Sequence, residues 1–188
     1  MVKLNRIYTR TGDAGTSGLV DGSRISKSAP LMAAIGDVDE ANSVLGVVVV
    51  QMVAGAQRER LLRIQNEMFD LGADLATPWG GEPGAHDLRV TEGQVERLEA
   101  AIDRATDDLD PLTSFVLPGG DPVAAALHVA RAVVRRAERS MVAANEAAPL
   151  NPAALMYINR LSDLLFVLSR HVNKMATGDV LWVPGASR

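Results

Sequence analysis

The stretch that decides the fold is DPVAAALHVARAVVRRAERSMVAANEA, residues 121–147. Asp121 before Pro122 reads as a helix start, because a short carboxylate caps free N–H groups and a first-turn proline has no N–H to leave unpaired. Leu127, Ala130, Val134, Ala137 and Met141 then recur at spacings of 3, 4, 3 and 4, one apolar stripe along a helix. The same signals repeat on either side. Asn151-Pro152 opens a stripe of Leu155, Ile158, Leu161, Leu165, Leu168 and Val172, with Gly178 after its end. Thr91 and Gln94 form a capping-box pattern ahead of Val95, Leu98, Ile102, Ala105 and Leu109. Leu61, Ile64, Met68, Leu71 and Leu75 mark a helix over about 57–76 that Pro78 ends. Pro30 starts the first helix, which is expected to run to about Val53 with Gly55 as a left-handed stop. Five helices with an alternating 3-4 seam predict an all-α, up-and-down five-helix bundle.

Composition narrows the function. Among 188 residues, 47% are hydrophobic and only 4% aromatic, so the core is built from Ala, Val, Leu, Ile and Met. Nineteen Lys+Arg against 23 Asp+Glu leave a net charge of −4, which argues against a general nucleic-acid binder. The absence of Cys excludes disulfides, thiolate zinc sites, iron–sulfur clusters and a catalytic thiol. His86, His128 and His171 are too scattered to make a metal site. No signal peptide or membrane-spanning apolar run is visible, so a cytoplasmic location is expected. The organisation expected is an extended, loop-like N-terminal arm over 1–28, a bundle over 29–177 and a C-terminal tail over 178–188.

Three segments carry chemistry. In the arm, Thr9, Arg10, Thr11, Gly12, Asp13, Gly15, Thr16 and Ser17 combine glycines, hydroxyls and a cation, with Lys27 downstream. Such a run turns N–H groups toward an anion, or is a flexible terminus; it lacks Walker A spacing. In the fourth helix, His128, Arg131, Arg135 and Arg139 share a face, with Arg136 and Glu138 beside them. Like charges four residues apart each cost roughly 0.2–0.5 kcal/mol, so their concentration suggests an anionic ligand, or else salt bridges to neighbouring helices. In the last helix, Asn159, Arg160, Ser162 and Asp163 sit between apolar positions, either as a buried network or as the lining of a site. Phe115, in the loop before the Arg helix, is either core or ligand-facing. The acidic run at Asp37, Asp39 and Glu40 is compatible with a salt-bridged surface patch.

Taken in order, these segments resemble the PduO-type ATP:cob(I)alamin adenosyltransferases. The resemblance rests on Thr9-Arg10-Thr11-Gly12-Asp13-x-Gly15-Thr16, Val38-Asp39-Glu40-x-Asn42, Phe115-x-Leu117-Pro118-Gly119-Gly120, Leu127-His128-x-Ala130-Arg131, Arg135-Arg136-Ala137-Glu138-Arg139 and Tyr157-Ile158-Asn159-Arg160-Leu161-Ser162-Asp163. Ala41 departs from the family's usual Leu, and residues after Lys174 match poorly.

The resemblance implies a homotrimer with active sites between subunits. ATP is implied to be held by the arm residues Thr9 to Ser17, by Lys27, by Arg135, Arg136, Glu138 and Arg139, and by Asn159. Asp39 and Arg131 are implied to meet across the subunit interface, and Phe115 to occupy the corrin's lower face, displacing the axial base to give four-coordinate Co(II). The implied reaction is attack of Co(I) on C5′ of ATP, forming adenosylcobalamin and releasing triphosphate. Arg135, Asp39, Arg131 and Phe115 are its expected catalytic residues. Cobalamin and ATP are the implied substrates, Mg²⁺ is expected through the phosphates rather than a protein metal site, and a reductase and an adenosylcobalamin-dependent enzyme are transient partners. This chemistry suits the residues: Co(I) is itself the nucleophile, so the protein must supply a cationic cradle and alignment. Two other readings compete, a non-catalytic bundle carrying ATP or cobalamin to a client enzyme, and a helical nucleotide hydrolase, for which Glu67, Asp70 and Asp74 are the nearest metal-carboxylate set.

Overall fold

Each helix begins where the local chemistry allows it. The computed structural model describes residues 8–80, 87–186 and 188, with helices α1 (Pro30–Gln51), α2 (Ala56–Leu75), α3 (Glu92–Thr106), α4 (Pro122–Ala147) and α5 (Pro152–Lys174). Residues 1–7 of the expected arm, His86 and Ser187 of the tail lie outside the described residues. Asp121 accepts the Val123 N–H at 2.8 Å and Asn151 the Ala153 N–H at 3.0 Å, the caps expected ahead of α4 and α5. Gln94 accepts the Thr91 N–H at 2.9 Å. One stop differs from expectation. Gly55 precedes α2 as its cap, and α1 ends earlier, where Met52 turns extended (φ −81°, ψ 140°).

Cross-helix contacts give the directions. Arg136 pairs with Glu40, and Ser140 donates to Asp37, so α1 and α4 are antiparallel. Asn151 donates to the Val90 carbonyl at one end of α3 and Lys174 to the Asp108 carbonyl at the other, so α3 and α5 are parallel. The direction therefore alternates along the chain, the up-and-down arrangement expected. The lateral order does not follow the chain: α4 packs between α1 and α5, and α3 packs on α5. The connector from α3 to α4 must consequently cross the end of α5. There Arg170 donates to the Asp110 carbonyl at 2.8 Å, and Asn173 donates to the Gly119 carbonyl at 3.1 Å.

The apolar stripes meet in one core, with Leu45, Leu61, Met68, Leu71, Leu127, Met141, Leu161 and Leu165 fully buried. Its largest side chain, Tyr157, donates its hydroxyl to buried Glu67 at 2.8 Å, and Arg97 reaches the other Glu67 oxygen at 2.8 Å. Burial and the Glu67 carboxylate raise the Tyr157 phenol well above its ordinary range. Asp74 is likewise committed, to Arg89, the Val90 N–H and Asn151. Glu67 and Asp74 thus brace helices, which removes the basis for the hydrolase reading. No described helix is long and apolar enough to cross a membrane.

The arm is more ordered than an extended loop. Strands β1 (Thr16–Gly18) and β2 (Arg24–Ser26) pair antiparallel, with Ser17 opposite Ile25. Three-residue strands carry no alternation long enough to show in the sequence. The hairpin is held by Arg24, whose guanidinium donates to Thr16 Oγ1 at 3.0 Å and to the Thr11 carbonyl at 2.8 Å. It docks on the end of α2 through the Val20 N–H and the Ala76 carbonyl, 3.0 Å apart.

Candidate functional site

The arginine stripe of α4 and the polar residues of α5 line two adjoining clefts. The first, about 580 Å³, is bounded by Phe115 and its loop, Arg131, Arg135, Asp163 and Phe166. The second, about 370 Å³, is bounded by Arg135, Glu138, Arg139, Val142 and Asn159. Arg135 belongs to both. The spacing explains this: residues 131, 135 and 139 are each one turn apart, so one stripe runs past both clefts.

The clefts differ in chemistry. In the second, Arg135 and Arg139 are exposed cations, and Arg139 donates back to the Arg135 carbonyl at 2.9 Å. Asn159 donates to Glu138 at 2.7 Å and accepts from Arg160 at 2.7 Å, while Arg160 is anchored on Glu99 at 2.9 Å. This chain fixes the one carboxylate in a cationic cleft. The donor set fits an anion with several oxygens; a divalent ion accompanying phosphates would find Glu138 there, and among the described residues no group of three metal-ligating side chains exists elsewhere.

The first cleft is more apolar. The Arg131 guanidinium lies over the Phe166 ring, 5.9 Å from its centroid, and is less basic than usual through burial and the nearby Arg135 charge. Its Nε is buried with no acceptor among the described residues. Behind it His128, 3% exposed, meets Phe166 edge-on, and burial followed by the Arg131 charge lowers its basicity. Phe115 is 77% exposed, so it is not core.

The Phe115 loop is held from two sides. Its connector ends at Gly119-Gly120, where Gly120 has φ +91° and a Cβ would lie 2.2 Å from Asn173 Oδ1, so only glycine fits. Asn173 is fully buried, accepts the Asp121 N–H at 3.0 Å and donates to the Gly119 carbonyl. On the other side lies the C-terminal tail. Val116 and Leu181 form an antiparallel bridge, Trp182 N–H donates to the Phe115 carbonyl at 2.7 Å, and Ser114 donates to the Trp182 carbonyl at 2.6 Å.

The expected site residues thus fall into separate groups. Phe115, Arg131 and Arg135 share one cleft, and Arg135, Glu138, Arg139 and Asn159 share the other. Arg136 turns to α1, pairing with Glu40 and standing 3.5 Å from Asp37. Asp39 remains exposed on α1 with no ion pair among the described residues. Thr9, Arg10, Thr11, Gly12, Asp13, Gly15, Thr16, Ser17 and Lys27 form their own turn. There the Thr9 and Thr11 hydroxyls are 2.9 Å apart, Lys27 N–H donates to the Gly15 carbonyl at 2.9 Å, and a Gly12 Cβ would come 3.0 Å from Lys27 Nζ. No hydrogen bond or ion pair among the described residues joins this turn to α4 or α5. Sequence reasoning missed Arg24, Asn173 and Trp182. Trp182 had a signal, being one of two tryptophans in an aromatic-poor chain.

Residues 7–172 match the cobalamin adenosyltransferase family profile. The chain is 50% identical over 190 residues to the corrinoid adenosyltransferase of Mycobacterium tuberculosis (strain ATCC 25618 / H37Rv), covering 100% of this chain and 97% of that one. It is 46% identical over 182 residues to the cobalamin adenosyltransferase of Cupriavidus metallidurans, covering 96% and 95%. Among solved structures, a variant PduO-type ATP:corrinoid adenosyltransferase from Lactobacillus reuteri complexed with cobalamin and ATP superposes with a TM-score of 0.85 at 37% identity, covering 94% of this chain and 99% of that one.

Proposed function

The chain belongs to the cobalamin adenosyltransferase family, and from that premise we propose that it transfers the 5′-deoxyadenosyl group of ATP to the Co(I) of a reduced corrinoid, releasing triphosphate. The observation that carries the reading is the position of Arg135, which lines both the cationic cleft and the apolar one. ATP in the cationic cleft and a corrin in the apolar one would bring C5′ toward cobalt at their junction. The bond formed is cobalt–carbon; the bond broken is C5′–O, whose electrons leave with the triphosphate. Arg135 and Arg139 stabilise that departing charge, Asn159 orients Glu138, and Mg²⁺ travels on the phosphates. Phe115 and Phe166 offer the apolar surface that excludes water from the corrin's lower face.

The arm and the α4 stripe complete one site when they come from different subunits, which is the reason to assemble the chain as a homotrimer. Two observations support that assembly: among the described residues, exposed Asp39 has no ion-pair partner and buried Arg131 Nε has no acceptor. A reductase that supplies the electron and an enzyme that receives the product complete the proposed set of partners.

Incubating the protein with ATP and chemically reduced cobalamin, and following the corrin absorbance, tests the reaction. Adenosylcobalamin with one triphosphate per turnover is expected. Binding of both substrates with no new cobalt–carbon bond would replace the enzyme with a carrier.

A further inference from the structure

Arginines gather once more, away from both clefts. Between α2 and α3 lies a cavity of about 210 Å³ walled by Arg60 and Arg63 on one helix and Arg97 and Arg104 on the other, over an apolar floor of Ile64 and Leu98. Residues 60 and 63 are one turn apart and 97 and 104 two turns, so each pair holds one side of its helix. Among the described residues only Arg97 is neutralised, by Glu67 at 2.8 Å, and the other Glu67 oxygen is occupied by Tyr157. Arg60 donates to the uncharged Gln57 carboxamide. Arg63 and Arg104 have no carboxylate within ion-pair distance among the described residues. Burial, then Arg104, then Arg63 make the Arg60 guanidinium less basic than usual, so these charges act on one another.

This arrangement works against stability. A chain of net charge −4 has carboxylates to spare, yet the one carboxylate lining this hollow, Glu67, serves Arg97, and the other three guanidiniums have no carboxylate partner among the described residues. We propose that the α2–α3 cavity is a second anion site, separate from the α4–α5 clefts, that takes a small phosphate-rich anion of the inorganic di- or triphosphate class. The charge requires several oxygens, and guanidinium forks match phosphoryl groups. The volume is below the range of about 300–1,000 Å³ typical of organic-ligand pockets, and its lining holds no aromatic ring on which a base could stack.

Tripolyphosphate titrated calorimetrically into the full chain carrying Arg135→Ala and Arg139→Ala isolates this site from the proposed nucleotide cradle. One equivalent per chain is expected, with affinity falling steeply as salt rises. Adding Arg63→Gln and Arg104→Gln should weaken it at least tenfold. The Arg63→Gln/Arg104→Gln chain without ligand should also melt at a higher temperature, because like-charge repulsion is relieved. ATP titrated in parallel distinguishes the sources: equal affinity assigns a nucleotide's phosphate tail, and much weaker binding assigns the free anion. The proposal is overturned by absence of saturable tripolyphosphate binding to the Arg135→Ala/Arg139→Ala chain, by affinity indifferent to residues 63 and 104, or by a lower melting temperature on their removal.

Discussion

The rings of Phe115 and Trp182 stand 5.9 Å apart, tilted by 60°, and the backbone beneath them is joined by the Trp182 N–H and the Phe115 carbonyl. A residue of the C-terminal tail thereby holds the loop that walls the first cleft, while leaving the Phe115 ring exposed to it. Phe115→Ala is expected to cut turnover strongly when cob(II)alamin and a protein reductant are supplied, and far less with ready-made Co(I). Its melting temperature should hardly move, whereas a core phenylalanine would lose about 3–5 kcal/mol. Trp182→Ala should fail in the same assay to a smaller degree, since the backbone bridge survives. Equal loss in both assays, with a large fall in melting temperature, would return Phe115 to a packing role.

Arg135→Ala is expected to damage catalysis and spare stability. The side chain is exposed and lines both clefts. Loss of one charge-assisted contact to phosphate costs about 1.5–3 kcal/mol, roughly 10- to 150-fold in kcat/KM. Unaltered kinetics in a folded variant would remove the cradle.

Arg24→Ala should loosen the arm without unfolding the bundle, because Arg24 spans Thr11 and Thr16 but touches no described helix through a hydrogen bond. The KM for ATP is expected to rise, and limited proteolysis near residues 12–15 to speed up. ATP should protect the parent chain at that site. Identical cleavage with and without ATP would show that the arm does not engage the nucleotide.

Asp39→Asn should weaken subunit association, measured by sedimentation, and exchanging the charges at Asp39 and Arg131 should restore part of it. Removing one partner of a fully buried ion pair costs about 3–5 kcal/mol. A double-mutant cycle with no coupling energy would mean that the two residues do not meet.

Stability should fall on mild acidification through His128. Burial and Arg131 depress its basicity in the folded chain, while the unfolded chain takes up a proton near the ordinary value of about 6.5. Its contribution is therefore complete above about pH 6.5 and declines as the pH drops below it, by up to about 1.4 kcal/mol per pH unit until the folded state also protonates. Urea unfolding of His128→Leu over the same range should give a flatter profile. Parallel profiles for the two proteins would show that His128 is not the group responsible.

The sequence by itself determined the five helices, the caps at Asp121 and Asn151, and the face shared by Arg131, Arg135 and Arg139. Each of these depends on residues within a turn or two of one another, where helical periodicity leaves little choice. It also placed Arg136 about a quarter-turn away from Arg135 but not what Arg136 would touch. Tertiary structure decided that, by packing α4 against α1, so that the acidic run of α1 divided: Asp37 and Glu40 went to Arg136, and Asp39 was left outward. Tertiary structure alone also bound the tail to the Phe115 loop and set Asn173 against Gly120. Those partners are far apart in sequence, and no local period records which helix end a distant segment will cross. The same limit hid the hairpin at Arg24, whose strands are too short to alternate and whose stability comes from one side chain bridging the turn.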